Sequence, residues 1–166
     1  MKIKTISVCL GLYMLFAMLT MSGCATSHLV ASDSSMSRSQ LHDLMADYGY
    51  TADQRDTGKI VTYFTADGVL SVPSVNAEVK GHQGISALFG QAWKQVSESG
   101  QQRRHIVSSL RILEETAYTA KFRAIMNVTG TPKSGQPAVY ITGVYFGDAV
   151  LTEQGWLLKK LEINID

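Results

Sequence analysis

Cysteine is almost missing from this chain. Of its 166 residues two are cysteine, Cys9 and Cys24, and both lie within the first 24 positions. The remainder therefore has no disulfide framework and no cysteine-based metal site. Its four histidines, His28, His42, His82 and His105, show no HxxxH or HxH spacing, so no metal is expected. An excess of one charge sign is missing too. The formal net charge is +1, which removes the broad basic field that nucleic acid calls for. There is no P-loop, no GxGxxG and no repeat of fixed period, and no cofactor is expected. Proline occurs three times, at Pro73, Pro132 and Pro137. The length suits one domain.

What is present begins with a leader. "MKIK" is a basic start, and "TISVCLGLYMLFAMLT" is an apolar run too short to span a membrane comfortably. It closes on "MSGC", small residues before a cysteine. This resembles a bacterial lipoprotein signal, with Met21 where leucine is usual. The resemblance implies that residues 1–23 are removed and that Cys24 becomes the lipid-bearing first residue. With Ala25 next, it implies an anchor in the outer membrane of a Gram-negative cell envelope, facing the periplasm. Several acyl chains, palmitate among them, would hold the chain firmly to the membrane. Lys2 and Lys4 leave with the leader, so the charge balance turns slightly negative. "ATSHLVASDSSMSRS" has no apolar period, and residues 24–38 read as the lipidated cysteine and a flexible tether.

Residues 39–166 read as one α+β domain. Leu41, Leu44, Met45, Tyr48 and Ala52 fall at helical spacing, with Ser37 and Gln40 placed as a capping box. Asp56 is placed to cap a short second helix, "TGKIVTYF". "TADG" reads as a turn, "VLSVPS" as a strand stopped by Pro73, and "EVKGHQG" as another turn. "ISALFGQAW" gives a third helix through Ile85, Leu88, Phe89 and Trp93. The period then changes to two. "RRHIVSSLRILEE", "AYTAKFRAIMNV", "AVYITGVYFGDAVL" and "WLLKKLEINI" make four long antiparallel strands. Gly143 and Gly147 suit a bend in a curved sheet. Helices followed by strands argue α+β, and a bent sheet around a helix leaves a cone-shaped apolar pocket.

"YFTADGVL", "KGHQGISALF", "RRHIVSS" and "GVYFGDAVLTEQGWLLKKLEIN", in that order, resemble the SnoaL-like branch of the NTF2-like superfamily, its scytalone-dehydratase-like members in particular. The resemblance covers residues 38–166. It implies a cone-shaped fold, commonly a homodimer through the open sheet face, and a family of cyclases, isomerases, dehydratases and plain ligand-binding modules. Fold alone does not decide among them.

The resemblance also implies a site. An acid at the end of the first helix holds a histidine from the first long strand, and the matching positions are Asp53 and His105. A carboxylate on one imidazole nitrogen fixes the tautomer and leaves the other nitrogen to move a proton. Tyr48, on the apolar stripe, could place its hydroxyl in the cavity; Tyr50 lies off the stripe. Tyr140 and Tyr145 lie on opposite faces of one strand, so at most one looks inward. The expected lining is Phe64, Phe89, Trp93, Phe122 and Tyr145. Two departures stand out. Ala52 replaces the tyrosine that usually precedes the acid, and the family's second cavity histidine has no counterpart, its position falling near Phe122, so the full dehydration machinery of those members is not present. The reading is thus an envelope lipoprotein holding a small, largely apolar or carbonyl-bearing molecule. One form of it is a lyase or isomerase that uses the Asp53–His105 pair. The other is a binding or adaptor module without chemistry, and a cone filled by its own side chains would make it a structural part.

Overall fold

The first helix, α1 (Ser34–Gln54), shows how the sequence reads into the fold. The structure, a computed structural model, describes residues 34–133 and 135–166. Cys9, Cys24 and His28 lie outside the described residues. Leu41, Leu44, Met45, Tyr48 and Ala52 are all buried along one side of α1. Each large apolar side chain on such a stripe contributes about 1.5–3 kcal/mol. The helix starts earlier than expected. Ser37 lies within it and is fully buried, so the Ser37–Gln40 capping box is not formed and residues 34–38 are helical rather than tether. Ser37 stands one turn before Leu41 on the same side, which carries the buried stripe back by a turn.

α1 ends in two reverse hydrogen bonds, Arg55 N–H to the Ala52 carbonyl at 3.2 Å and Asp56 N–H to the Thr51 carbonyl at 3.4 Å. This is the usual helix-terminating pair, which places one residue in the left-handed region. That residue is Arg55, with φ of 57°. Asp56 then caps α2 (Thr57–Ile60), accepting from Lys59 N–H at 2.8 Å. A 3-10 turn, Val61–Tyr63, leads into β1 (Phe64–Val72).

Two expected turns are absorbed into regular structure. "TADG" lies inside β1, where the register against the last strand shifts between Phe64 and Val69. Asp-Gly serves there as a bulge and not as a chain reversal. "EVKGHQG" supplies β2 (Ala77–Lys80) and the first turn of α3 (Gly81–Ser99). The four long strands follow as β3 (Gln102–Glu115), β4 (Thr119–Thr131), β5 (Ala138–Thr152) and β6 (Gly155–Ile165).

The six strands form one curved sheet in the order β2-β1-β6-β5-β4-β3, and only β1 and β6 run parallel. β4 alternates cleanly, with Ala120, Phe122, Ala124 and Met126 buried and Lys121, Arg123 and Ile125 exposed. β5 approaches β6 so closely that a Cβ at Gly143 would collide with the Asn164 carbonyl. α1 lies across the inner face of β3, and α3 lies against β1. Ile60, Phe64, Phe122, Leu158 and Leu161 fill part of the concave side. The rest of it stays open as a cavity.

Candidate functional site

The cavity measures about 200 Å³. Its walls come from every layer of the fold: Tyr48 and Ala52 of α1, Leu88, Phe89 and Trp93 of α3, Met126 and Val128 of β4, Tyr145 of β5, and Ile163 and Ile165 of β6. Phe89 and Trp93 stack at 4.9 Å, while Tyr48 meets Phe89 and Tyr145 edge-on at 6.3 and 5.8 Å. The cone is therefore not filled by its own side chains.

On β3 the inward residues are Arg103, His105 and Val107, as period two requires. Opposite them α1 presents Gly49 and, one turn later, Asp53. A Cβ built on Gly49 would meet Val107 Cγ2 at 3.4 Å, so helix and strand lie in contact. This seats Asp53 against His105. Asp53 Oδ1 accepts from the His105 backbone N–H at 2.9 Å and from Nδ1–H at 2.8 Å. The Asp53 side chain is 8% exposed and that of His105 16%. A carboxylate is disfavoured at a helix C-terminus, and these two donors offset that cost. With Nδ1 bonded to Asp53, Nε2 is left as the acceptor nitrogen, and His105 borders the cavity.

Tyr48 and Tyr145 are both 1% exposed and border the same cavity. Burial pushes the Tyr48 phenol well above its ordinary pKa, with Tyr145 adding to the shift. Burial does the same to Tyr145, helped by the negative charge of Asp53. Both hydroxyls stay protonated and can donate. Neither has a hydrogen-bond partner among the described residues.

Of the expected lining, Phe89, Trp93 and Tyr145 do face the cavity. Phe64 and Phe122 do not. Both are 1% exposed in the packed core, Phe64 edge-on to Tyr48 and Phe122 beneath Gly147. An inward strand position shows only that a side chain is covered, not whether it meets a cavity or other side chains. Tyr140 and Tyr50 are exposed, and so is His42. His82 Nε2–H donates to the Phe64 carbonyl at 3.0 Å. Among the described residues no group of His, Cys, Asp or Glu is placed to hold a metal ion.

Two charged cavity residues escaped the sequence reading. Arg103 shares the inward face of β3 with His105, and the alternation of "RRHIV" carried that signal. Arg55 carried none, because its position depends on a left-handed residue that glycine usually supplies. Both arginines border the cavity and are half-buried.

A family model described as "SnoaL-like domain" matches residues 33–162. No curated protein matches the chain. Among solved structures, an NTF2-like protein with a cystatin-like fold from Novosphingobium aromaticivorans is similar at 24% identity and TM-score 0.68, over 78% of this chain and 81% of that one. ActVI-ORFA from Streptomyces coelicolor is similar at 16% identity and TM-score 0.70, over 78% of this chain and 94% of its own. A candidate scytalone dehydratase from Novosphingobium aromaticivorans follows at 18% identity and TM-score 0.65, over 78% and 83%. At these identities the structures speak for the fold alone. With the family model spanning most of its length, this chain belongs to the SnoaL-like domain family and has the NTF2-like fold.

Proposed function

We propose that this protein binds a small, largely apolar carbonyl compound in its cavity and moves a proton on it. The observation that carries the reading is the bond from His105 Nδ1–H to Asp53, on a histidine that borders the cavity. His105 Nε2 takes a proton from the carbon next to the carbonyl. The C–H electron pair moves into the new C=C bond and the carbonyl pair onto oxygen, giving an enolate. The Tyr48 hydroxyl donates to that oxygen, with Tyr145 beside it. The imidazolium then returns the proton, either to the γ-carbon of a β,γ-unsaturated compound, whose conjugated C=C pair takes it and moves the double bond, or to the β-hydroxyl of a β-hydroxy compound, which the enolate expels as water. Asp53 stabilises the imidazolium and holds its orientation. A cavity of about 150 Å³ takes one benzene ring, so the volume here suits a one- or two-ring compound.

Proton exchange from carbon to D2O in one- and two-ring ketones, followed by NMR, tests this. His105→Gln should lose the exchange by at least about a hundredfold while keeping its fold. Equal exchange in wild type and His105→Gln ends the catalytic reading. The protein would then be the other thing its apolar walls support, a binding module without chemistry.

The leader motif supports anchoring by lipid at Cys24 to the outer membrane. Incorporation of labelled palmitate, lost in Cys24→Ser, is the expected result. Ile106, Ile125 and Phe146 are exposed on the sheet face away from the helices, which supports a homodimer through that face. Light scattering on the domain should give twice the chain mass, and Ile125→Lys should halve it.

A further inference from the structure

The cavity is apolar nearly throughout, yet two arginines border it side by side. Arg55 comes from the end of α1 and Arg103 from the start of β3. Gln101 sets both: its carbonyl accepts from Arg55 Nη2 at 2.8 Å, and its side-chain Oε1 accepts from Arg103 Nε at 2.9 Å. Arg55 Nη1 donates also to Ser97 Oγ at 3.0 Å. Every one of these partners is neutral. Among the described residues no carboxylate pairs with either arginine, and the Nη atoms of Arg103 have no hydrogen bond. The two cations feel each other: burial first, and then the charge of Arg55, lower the pKa of Arg103, against a smaller opposing contribution from Tyr140. Like charges held together and partly desolvated are costly unless an anion joins them.

A second observation is independent of charge. Arg55 occupies the left-handed position that ends α1, where glycine would sit without strain. The chain accepts a left-handed backbone where α1 brings Arg55 to the cavity, as it does elsewhere at Asn76 and Ser109. Strain of this kind persists where function holds it in place.

We propose that the compound taken up is an acid, with its carbon skeleton against Phe89, Trp93 and Ile163 and its carboxylate between Arg55 and Arg103. This deepens the proposed function by naming the substrate class, and it rests on the same cavity. Guanidinium and carboxylate match in planar geometry and bond through two parallel N–H···O contacts. A site built around that pair rejects the uncharged analogue, because the arginines would then stay unpaired in a partly dry place.

The test compares acids with their amides. Calorimetric titration of the wild-type domain with 2-naphthoate and 2-naphthamide, and with benzoate and benzamide, is run at low and high salt. The acid of a pair should bind at least about tenfold tighter, and salt should shrink the gap. Arg103→Gln and, separately, Arg55→Gly should bring acid and amide to parity. Equal affinity for acid and amide in the wild type overturns the proposal, and that comparison needs no variant to fold. Absence of binding by either series up to millimolar concentration overturns it as well, as does a preference that survives in Arg103→Gln. The two proposals fail separately. Acid preference without proton exchange leaves the anion site standing and ends the catalytic reading. Exchange on neutral ketones with no acid preference does the reverse.

Discussion

Asp53 Oδ1 takes two hydrogen bonds from one residue, the backbone N–H of His105 at 2.9 Å and its Nδ1–H at 2.8 Å. One oxygen thereby fixes both where β3 lies against the end of α1 and which way the imidazole faces. Asp53→Asn can still accept both bonds through its amide oxygen, but without charge to favour the Nδ1–H tautomer. Nitrogen-15 NMR of the ring should show Nδ1–H as the dominant neutral tautomer in wild type and a mixture in Asp53→Asn. An Nε2–H tautomer in the wild type would remove the proposed base. Asp53→Ala leaves two donors unmatched and should cost about 2–3 kcal/mol in urea unfolding.

Arg55→Gly separates strain from recognition. Relief of a left-handed non-glycine residue returns about 1 kcal/mol, and loss of the bonds to Ser97 and Gln101 removes a similar amount. Stability should stay within about 1 kcal/mol of wild type, measured by chemical denaturation. A large loss would make Arg55 a structural clamp and nothing more.

The two cavity tyrosines set the alkaline limit. Their folded pKa values are raised above the ordinary 10.0. Above that pH the unfolded chain gives up protons that the folded protein keeps. The folded state then binds more protons, so stability falls as pH rises. Below pH 10 the effect is absent. The midpoint of urea unfolding should drop between about pH 10 and pH 12, and Tyr145→Phe should flatten the drop. An equal slope in Tyr145→Phe would place the alkaline sensitivity elsewhere.

The stripe of α1 should be costly to cut. Leu41 is fully buried and is not among the residues lining the cavity. Leu41→Ala should lose about 2–5 kcal/mol with ligand affinity unchanged in the folded fraction. Phe122→Ala should behave likewise, since Phe122 packs the core and does not face the ligand; a selective loss of binding would return it to the pocket.

How legible all this was in the sequence depends on the kind of signal. Helical and strand periods are local, so the α1 stripe and the two faces of β4 could be read directly. Asp56 as a cap was legible for the same reason. Boundaries were not: Ser37 looks like a cap, and only packing one turn beyond Leu41 turns it into helix interior. "TADG" has turn chemistry, and pairing with β6 turned it into a bulge. The acid and histidine came from family resemblance, and no spacing rule would have joined residues 53 and 105. Arg55 was invisible because a left-handed arginine breaks the rule by which helix ends are read. Which inward residues meet empty space and which meet neighbours, the difference between Trp93 and Phe122, is settled by the curvature of the whole sheet.

The place of β6 has one more consequence. It is the last strand in chain order, yet it lies between β1 and β5, and it brings Ile163 and Ile165 to the cavity wall. A ribosome must therefore release nearly all of residues 34–165 before the sheet can close, and until then β1 and β5 each offer an open edge. The pocket cannot form early, because its apolar walls come together only once the last strand is in place.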